Sequence, residues 1–225
     1  MQSQDNGEPR LASIIILAGG RSARMGGASK ARLPWGRNRL LDHMVALATQ
    51  VSDDVVVVGR DGLAAPAPAI AVTDVYADRG PLGGLHAGLQ AARFDRGIAL
   101  GCDMPFVRAP LLLGLLDLSA GHDAAVPRGS AGIHPLLAVY SRRCLAVIEE
   151  RLRDGGGRMT SFFDRVRVRW VSEDELRAYD PELLSLFNIN TWEEYERALE
   201  IAGAAEPAPA RNQARRPPRR FSQSA

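Results

Sequence analysis

ASIIILAGGRSARMGGASK (residues 12–30) opens as a run of apolar, largely β-branched side chains and then breaks into Gly19, Gly20, Gly26 and Gly27, with Arg21, Arg24 and Lys30 spaced among them. A short continuous apolar run bounded by glycine reads as a strand buried on both faces. In the loop that follows, glycines let backbone N–H groups approach phosphate oxygens closely, and the cations supply charge. A merely flexible surface loop accounts for the glycines but not for the positive groups among them. Phosphate binding is the natural expectation, although the spacing is neither GxGxxG nor GxxxxGK[ST], because Lys30 follows Gly27 by three residues and precedes Ala31.

Outward from this loop, apolar runs recur: DVVVVG at 54–59, AIAVT at 69–73, GIALGCD at 97–103 and DAAVP at 123–127. Residues 40–51, 82–93 and 110–118 between them carry apolar side chains at helical spacing. That alternation predicts a doubly wound α/β domain, its sheet mostly parallel and covered by helices on both faces. In the second half, HPLLAVY (134–140) reads as a strand, 143–154 as a helix stopped by GGG at 155–157, and VRVRWV (166–171), alternating with period two, as a half-exposed strand. Ser172 with Glu175, and Thr191 with Glu194, fit the capping-box spacing and mark two further helix starts, the last helix covering 193–201.

With 225 residues, one α/β domain over 12–203 is expected, between a flexible start at 1–11 and the tail 204–225. The formal net charge is only +2, so no polyanionic partner is demanded and nucleic acid is not expected. Five arginines against Glu206 give the tail +4, which leaves about −2 for the rest. Its Pro, Ala and Arg content cannot bury enough apolar surface to offset ordering entropy, so it is expected to be a disordered, solvated extension. Two cysteines make no disulfide framework or CxxC pair, no basic start leads into an apolar run, and no apolar stretch of membrane-spanning length occurs. A cytoplasmic protein with reduced thiols and no membrane is the expectation.

The segment LAGGRSARMGGASKARLPW (17–35) resembles the signature LAGGxxxRMGxxK of the nucleotidyltransferases that move a nucleoside monophosphate from a triphosphate, and LAGG rather than LAAG resembles the molybdenum cofactor guanylyltransferases among them. Ser29 departs from the Asp usual before the lysine in that subgroup. The resemblance implies a Rossmann-like nucleotidyltransferase fold, with the backbone of Leu17, Ala18, Gly19 and Gly20 binding the nucleotide and Arg24 and Lys30 on its phosphates. ALGCDMPFV (99–107) ends a strand on Asp103. A lone strand-end Asp is ordinarily a cap or turn residue, but CDMPF resembles the family's metal-binding segment and so implies Asp103 as the Mg²⁺ ligand, touching nucleotide through it.

YADRGPLGGLHAGLQAA (76–92) reads as a turn opening a helix, and its resemblance to the family's D-x-x-GPL-x-G segment, here one residue tighter, implies that Asp78 contacts nucleotide. His86 reads as a helix-surface or packing residue rather than a base. In LFNINTWEEY (186–195), Asn188 and Asn190 would by themselves be turn amides before a Thr191 cap; the resemblance implies a role for both at the pterin acceptor. It places His134 and Pro135 near the acceptor side as well, although His134 reads by itself as a satisfied structural histidine.

The chemistry implied is GTP plus a molybdopterin-type cofactor giving the guanine dinucleotide form and pyrophosphate, with Mg²⁺ as cofactor and a molybdoenzyme or cofactor chaperone receiving the product. Arg24, Lys30 and Asp103 would do the catalytic work by alignment and charge neutralisation. Alternatives are a cytidylyltransferase for the same cofactor, a sugar-1-phosphate nucleotidyltransferase, or a non-catalytic module that binds nucleotide and delivers cofactor.

Overall fold

A computed structural model of the chain describes residues 12–19, 25, 29–59, 62–76 and 79–203. The start at 1–11, the tail 204–225, and Gly20, Arg21, Arg24, Gly26, Gly27 and Asp78 lie outside the described residues. In chain order the elements are β1 (Ser13–Leu17), β2 (Pro34–Trp35), β3 (Asn38–Arg39), α1 (Leu40–Ala48), β4 (Val55–Gly59), β5 (Ile70–Thr73), α2 (Gly80–Ala91) and β6 (Arg96–Gly101). There follow α3 (Ala109–Leu118), β7 (Ala124–Gly129), β8 (Gly132–Ile133), β9 (Leu137–Ser141), α4 (Leu145–Arg153), β10 (Val168–Ser172), α5 (Glu173–Arg177) and α6 (Trp192–Ala202).

The main sheet has the order β10-β7-β9-β6-β1-β4-β5, with β8 on β7. β5, β4, β1 and β6 run parallel, as do β7 and β10. β9 runs against both β6 and β7, and the short β8 against β7, so the sheet is mixed. The apolar runs explain the central position of these strands, because successive side chains point to opposite faces and both faces are covered. Ile14, Ile16, Val55, Val57, Ile98 and Leu100 point into one core with Leu41 and Met44 of α1 and Leu111 and Leu115 of α3. Ile15, Val56, Val58 and Ala99 point into the other, with Leu85 and Leu89 of α2 and Ile148 and Leu152 of α4. Each Val, Leu, Ile or Met among them, taken fully out of water, contributes about 1.5–3 kcal/mol.

At the edges the pattern thins. β5 is largely exposed, with Ile70 50% accessible, and β10 buries only Val171 fully, in keeping with its period-two sequence. Helix α2 lies close on the sheet because Gly88 carries no side chain: a Cβ there would come within 2.2 Å of Ile15 Cγ2. Both expected capping boxes form, at Ser172 with Glu175 and at Thr191 with Glu194. Among the described residues no helix is long and apolar enough to cross a membrane.

Candidate active site

Burial falls along β1 toward the ligand edge of the sheet. Ile14, Ile15 and Ile16 are fully buried, Leu17 and Ala18 half-buried, and Gly19 exposed. The Leu17 carbonyl accepts from the Cys102 amide at 3.2 Å, and the Ala18 amide donates to the Val58 carbonyl at 2.8 Å. The exit of β1 is thus fastened to both neighbouring strands, and the residue after Cys102 is Asp103. Ligands of open parallel sheets sit at this carboxyl edge.

Gly101 leaves room for the Asp103 carboxylate, since a Cβ on it would lie 2.5 Å from Asp103 Oδ1. Asp103 Oδ2 accepts from Lys30 Nζ at 2.6 Å, with the two side chains 19% and 18% exposed. Lys30 Nζ also donates to Asn190 Oδ1 at 2.9 Å. One ammonium therefore joins the segment after β1, the turn after β6 and the turn before α6. Partial shielding from water makes this attraction stronger than that of an exposed surface pair. Lys30 is also the only lysine of the chain, whose other 27 basic residues of the 28 Lys and Arg are arginine.

The turn that carries Asn190 is held from several sides. The Ile189 amide donates to the Asp103 carbonyl at 2.9 Å. Glu194 Oε2 accepts from the Asn190 amide at 2.6 Å and the Thr191 amide at 2.9 Å. Ile189, Tyr195, Ala198 and Leu199 pack with Met25, Leu33 and Leu40 into a third apolar cluster, which seats α6 on the segment just after the glycine loop. Asn188, in contrast, donates its amide to the Leu186 carbonyl at 3.0 Å within its own turn. Of the sequence-derived site residues, the structure gathers Leu17, Ala18, Gly19, Lys30, Asp103 and Asn190. Gly20, Arg24 and Asp78 lie outside the described residues.

Sequence reasoning passed over Asp74, which follows β5 directly. Its carboxylate accepts from the Tyr76 amide at 2.8 Å and sits over the first turn of α2, where a Cβ on Gly83 would meet both its oxygens at 2.7 Å. A helix N-terminus favours such a negative group. Its position at the end of AIAVT is by itself the mark of a cap or turn residue, and no segment like the CDMPF around Asp103 surrounds it.

Burial pushes the Cys102 thiol up to about 12, with the neighbouring Asp103 adding to the rise, so it is no nucleophile at neutral pH. His86 is buried on α2, edge-on to Tyr76 at 5.2 Å, which makes it the packing residue expected. Its Nδ1 has no hydrogen-bond partner among the described residues, and burial lowers its pKa. His134 Nε2 likewise lacks a partner there, so the reading of a satisfied histidine does not hold. His134 lies in the segment between β7 and β9, both of whose ends stand at the ligand edge, with the Leu136 carbonyl accepting from the Gly101 amide at 2.8 Å.

Residues 14–168 match the family described as "MobA-like NTP transferase domain". The chain belongs to this family. With it the chain is a nucleotidyltransferase, as the resemblance of residues 17–35 implied. A molybdenum cofactor guanylyltransferase of Desulfosudis oleivorans is 42% identical over 187 residues, spanning 82% of this chain and 92% of the other. A probable molybdenum cofactor guanylyltransferase of Methanosarcina mazei is 35% identical over 201 residues, 83% and 89% of the two chains. The crystal structure of molybdopterin-guanine dinucleotide biosynthesis protein A from Archaeoglobus fulgidus superposes with a TM-score of 0.76 at 28% identity, covering 86% of this chain and 99% of that one.

MobA-like transferases act on a triphosphate, which calls for a divalent ion. Among the described residues no group of three or more His, Cys, Asp or Glu is placed to hold a metal. Mg²⁺ needs none, being bound by one or two carboxylates together with substrate phosphates and water. Asp103, a hard oxygen ligand at the ligand edge, fits that donor set.

Proposed function

We propose that this chain transfers GMP from GTP to the terminal phosphate of a molybdopterin-type cofactor, giving the guanine dinucleotide form and pyrophosphate. The observation that carries the reading is the Lys30 ammonium between Asp103 and Asn190, at the exit of the glycine-bearing strand. The names borne by the similar proteins support guanine and the molybdenum cofactor as the two substrates.

The acceptor is a phosphate and already an anion, so the reaction needs no base or nucleophilic side chain. The backbone of Leu17, Ala18, Gly19 and Gly20 would bind the donor, and Asp78 together with the strand-end Asp74 would accept hydrogen bonds from its nucleoside. Arg24 and Lys30 neutralise charge that grows on the phosphates during in-line displacement. Asp103 would hold Mg²⁺, which supplies charge neutralisation and polarises the phosphoryl group. Asn190 and Asn188 would serve the acceptor, because amides suit the hydrogen-bonding edge of a pterin. The work of the protein is alignment, worth several orders of magnitude when the reacting atoms are held in line.

The test incubates the purified chain with Mg²⁺, molybdenum-loaded pterin and each of the four labelled triphosphates, and follows pyrophosphate release. Release with GTP alone is expected. Use of CTP or UTP without GTP would overturn the guanine assignment, and GTP binding without release would make the chain a delivery module.

A further inference from the structure

We propose that Glu194 is a positioning residue for this reaction: through the backbone of Asn190 it holds the asparagine side-chain oxygen against Lys30. The inference deepens the reading above and rests on Lys30 serving the transfer. A capping box by itself needs the N3 carboxylate to accept only from the N-cap amide, here Thr191. Glu194 Oε2 does this at 2.9 Å but also accepts from the amide one residue earlier, Asn190, at the shorter distance of 2.6 Å. The additional bond falls on the residue whose side chain reaches Lys30.

The consequence is a turn with little freedom. The Ile189 amide is taken by the Asp103 carbonyl, and the next two amides are taken by one oxygen of Glu194. The Ile189 side chain is fully buried. With three successive amides fixed, the backbone at Asn190 has one setting, and its side chain starts from a fixed Cα. Lys30 gains most from this, because a lysine stem has several rotatable bonds and its charge stays in place only where acceptors hold it. Asp103 supplies one acceptor and Asn190 the other, from regions 73 and 160 residues away in sequence. Glu194 acts at one remove, setting the second acceptor before substrate arrives.

Because Lys30 is the only side-chain amine in the chain, its exposure to reagent can be read directly. The full-length protein, without substrate, is pulsed with acetic anhydride, and acylation of the Lys30 peptide is followed by mass spectrometry with the N-terminal amine as internal reference. Glu194→Ala and Glu194→Asp, the second keeping the charge but shortening the reach, are expected to raise Lys30 acylation at least about threefold and to lower kcat about tenfold, with KM for GTP within about threefold. Glu194→Gln keeps a carbonyl oxygen at the same reach and restores both readouts to near wild type. Thr191→Ala removes the other half of the cap, the bond from the Glu194 amide to Thr191 Oγ1 at 3.1 Å, and costs helix stability of about 1 kcal/mol. It is expected to lower Tm while leaving Lys30 reactivity and kcat near wild type.

Wild-type Lys30 reactivity in folded Glu194→Ala or Glu194→Asp would overturn the proposal, as would Thr191→Ala matching them in both readouts. If the alanine variant does not fold, the aspartate variant decides. Should the wild type fail to transfer GMP, the functional reading falls, whereas the acylation comparison, made without substrate, still decides whether Glu194 holds the lysine.

Discussion

The rim of the molecule and its active corner bind carboxylates with different cations. On the rim, Arg39 meets Asp42 as a fork, Nε to Oδ2 at 2.9 Å and Nη2 to Oδ1 at 2.7 Å, and Arg167 meets Asp123 in the same way at 3.2 and 3.3 Å. In the corner the chain's one lysine donates to a carboxylate and a carboxamide on separate segments. A planar guanidinium matches two oxygens of one carboxylate, and an ammonium offers three donors in diverging directions on a compact head. In a chain that otherwise uses arginine, the single lysine sits where its two acceptors lie on separate segments.

The sharpest way to break this contrast is to put arginine in the corner. Lys30→Arg, like Lys30→Ala, is expected to lose at least about a hundredfold in turnover, because the fork cannot satisfy Asp103 and Asn190 together. Activity within tenfold of wild type in a steady-state assay would dissolve the distinction. Asp103→Ala should fall as far, with circular dichroism unchanged, since the residue lies in a turn rather than a core. The converse exchange, Arg24→Lys in the glycine loop, is expected to cost about tenfold, because a point charge replaces a bidentate donor at a phosphate.

A nitrogen with neither arrangement gives a smaller effect. Burial holds the His86 imidazole below its ordinary 6.5, against the opposing pull of Glu149 and Asp74. The unfolded chain then takes up the proton first, so stability present above pH 6.5 is lost as the pH falls through the folded value. His134 acts in the same direction, again through burial. Denaturant melts at a series of pH values should show this acid limb, and His86→Phe should flatten it. The least effect belongs to the rim: Arg39→Lys is expected to change stability by less than about 0.5 kcal/mol in the same melts, as exposed pairs contribute little.

Much of the fold was legible because the strands announce themselves. IIIL and VVVV have no other plausible state between glycine and polar breaks, and Ser172–Glu175 and Thr191–Glu194 fixed two helix starts. The direction of β9 was not legible. LLAVY buries both faces, and a run of that kind carries no mark of whether its neighbours are parallel. Of the site, Lys30, Asp103 and Asn190 were each picked out by the segments around them, but their meeting on one ammonium was hidden. A contact across 160 residues depends on how α6 packs over Met25 and Leu33, which no local pattern encodes. Asp74 was not legible, because an Asp at a strand end reads as a cap or turn residue, and only the CDMPF segment around it set Asp103 apart.

The reversal of β9 has a consequence for how the protein could be re-engineered. Residues 130–136 leave β7 at the ligand edge, and because β9 is reversed they enter it at that same edge, so both ends of the segment are held there. That hairpin is separate in the chain from the glycine loop and from Asp103. It is therefore a natural point at which to graft a foreign turn at the ligand edge, with the glycine loop and Asp103 left as they are.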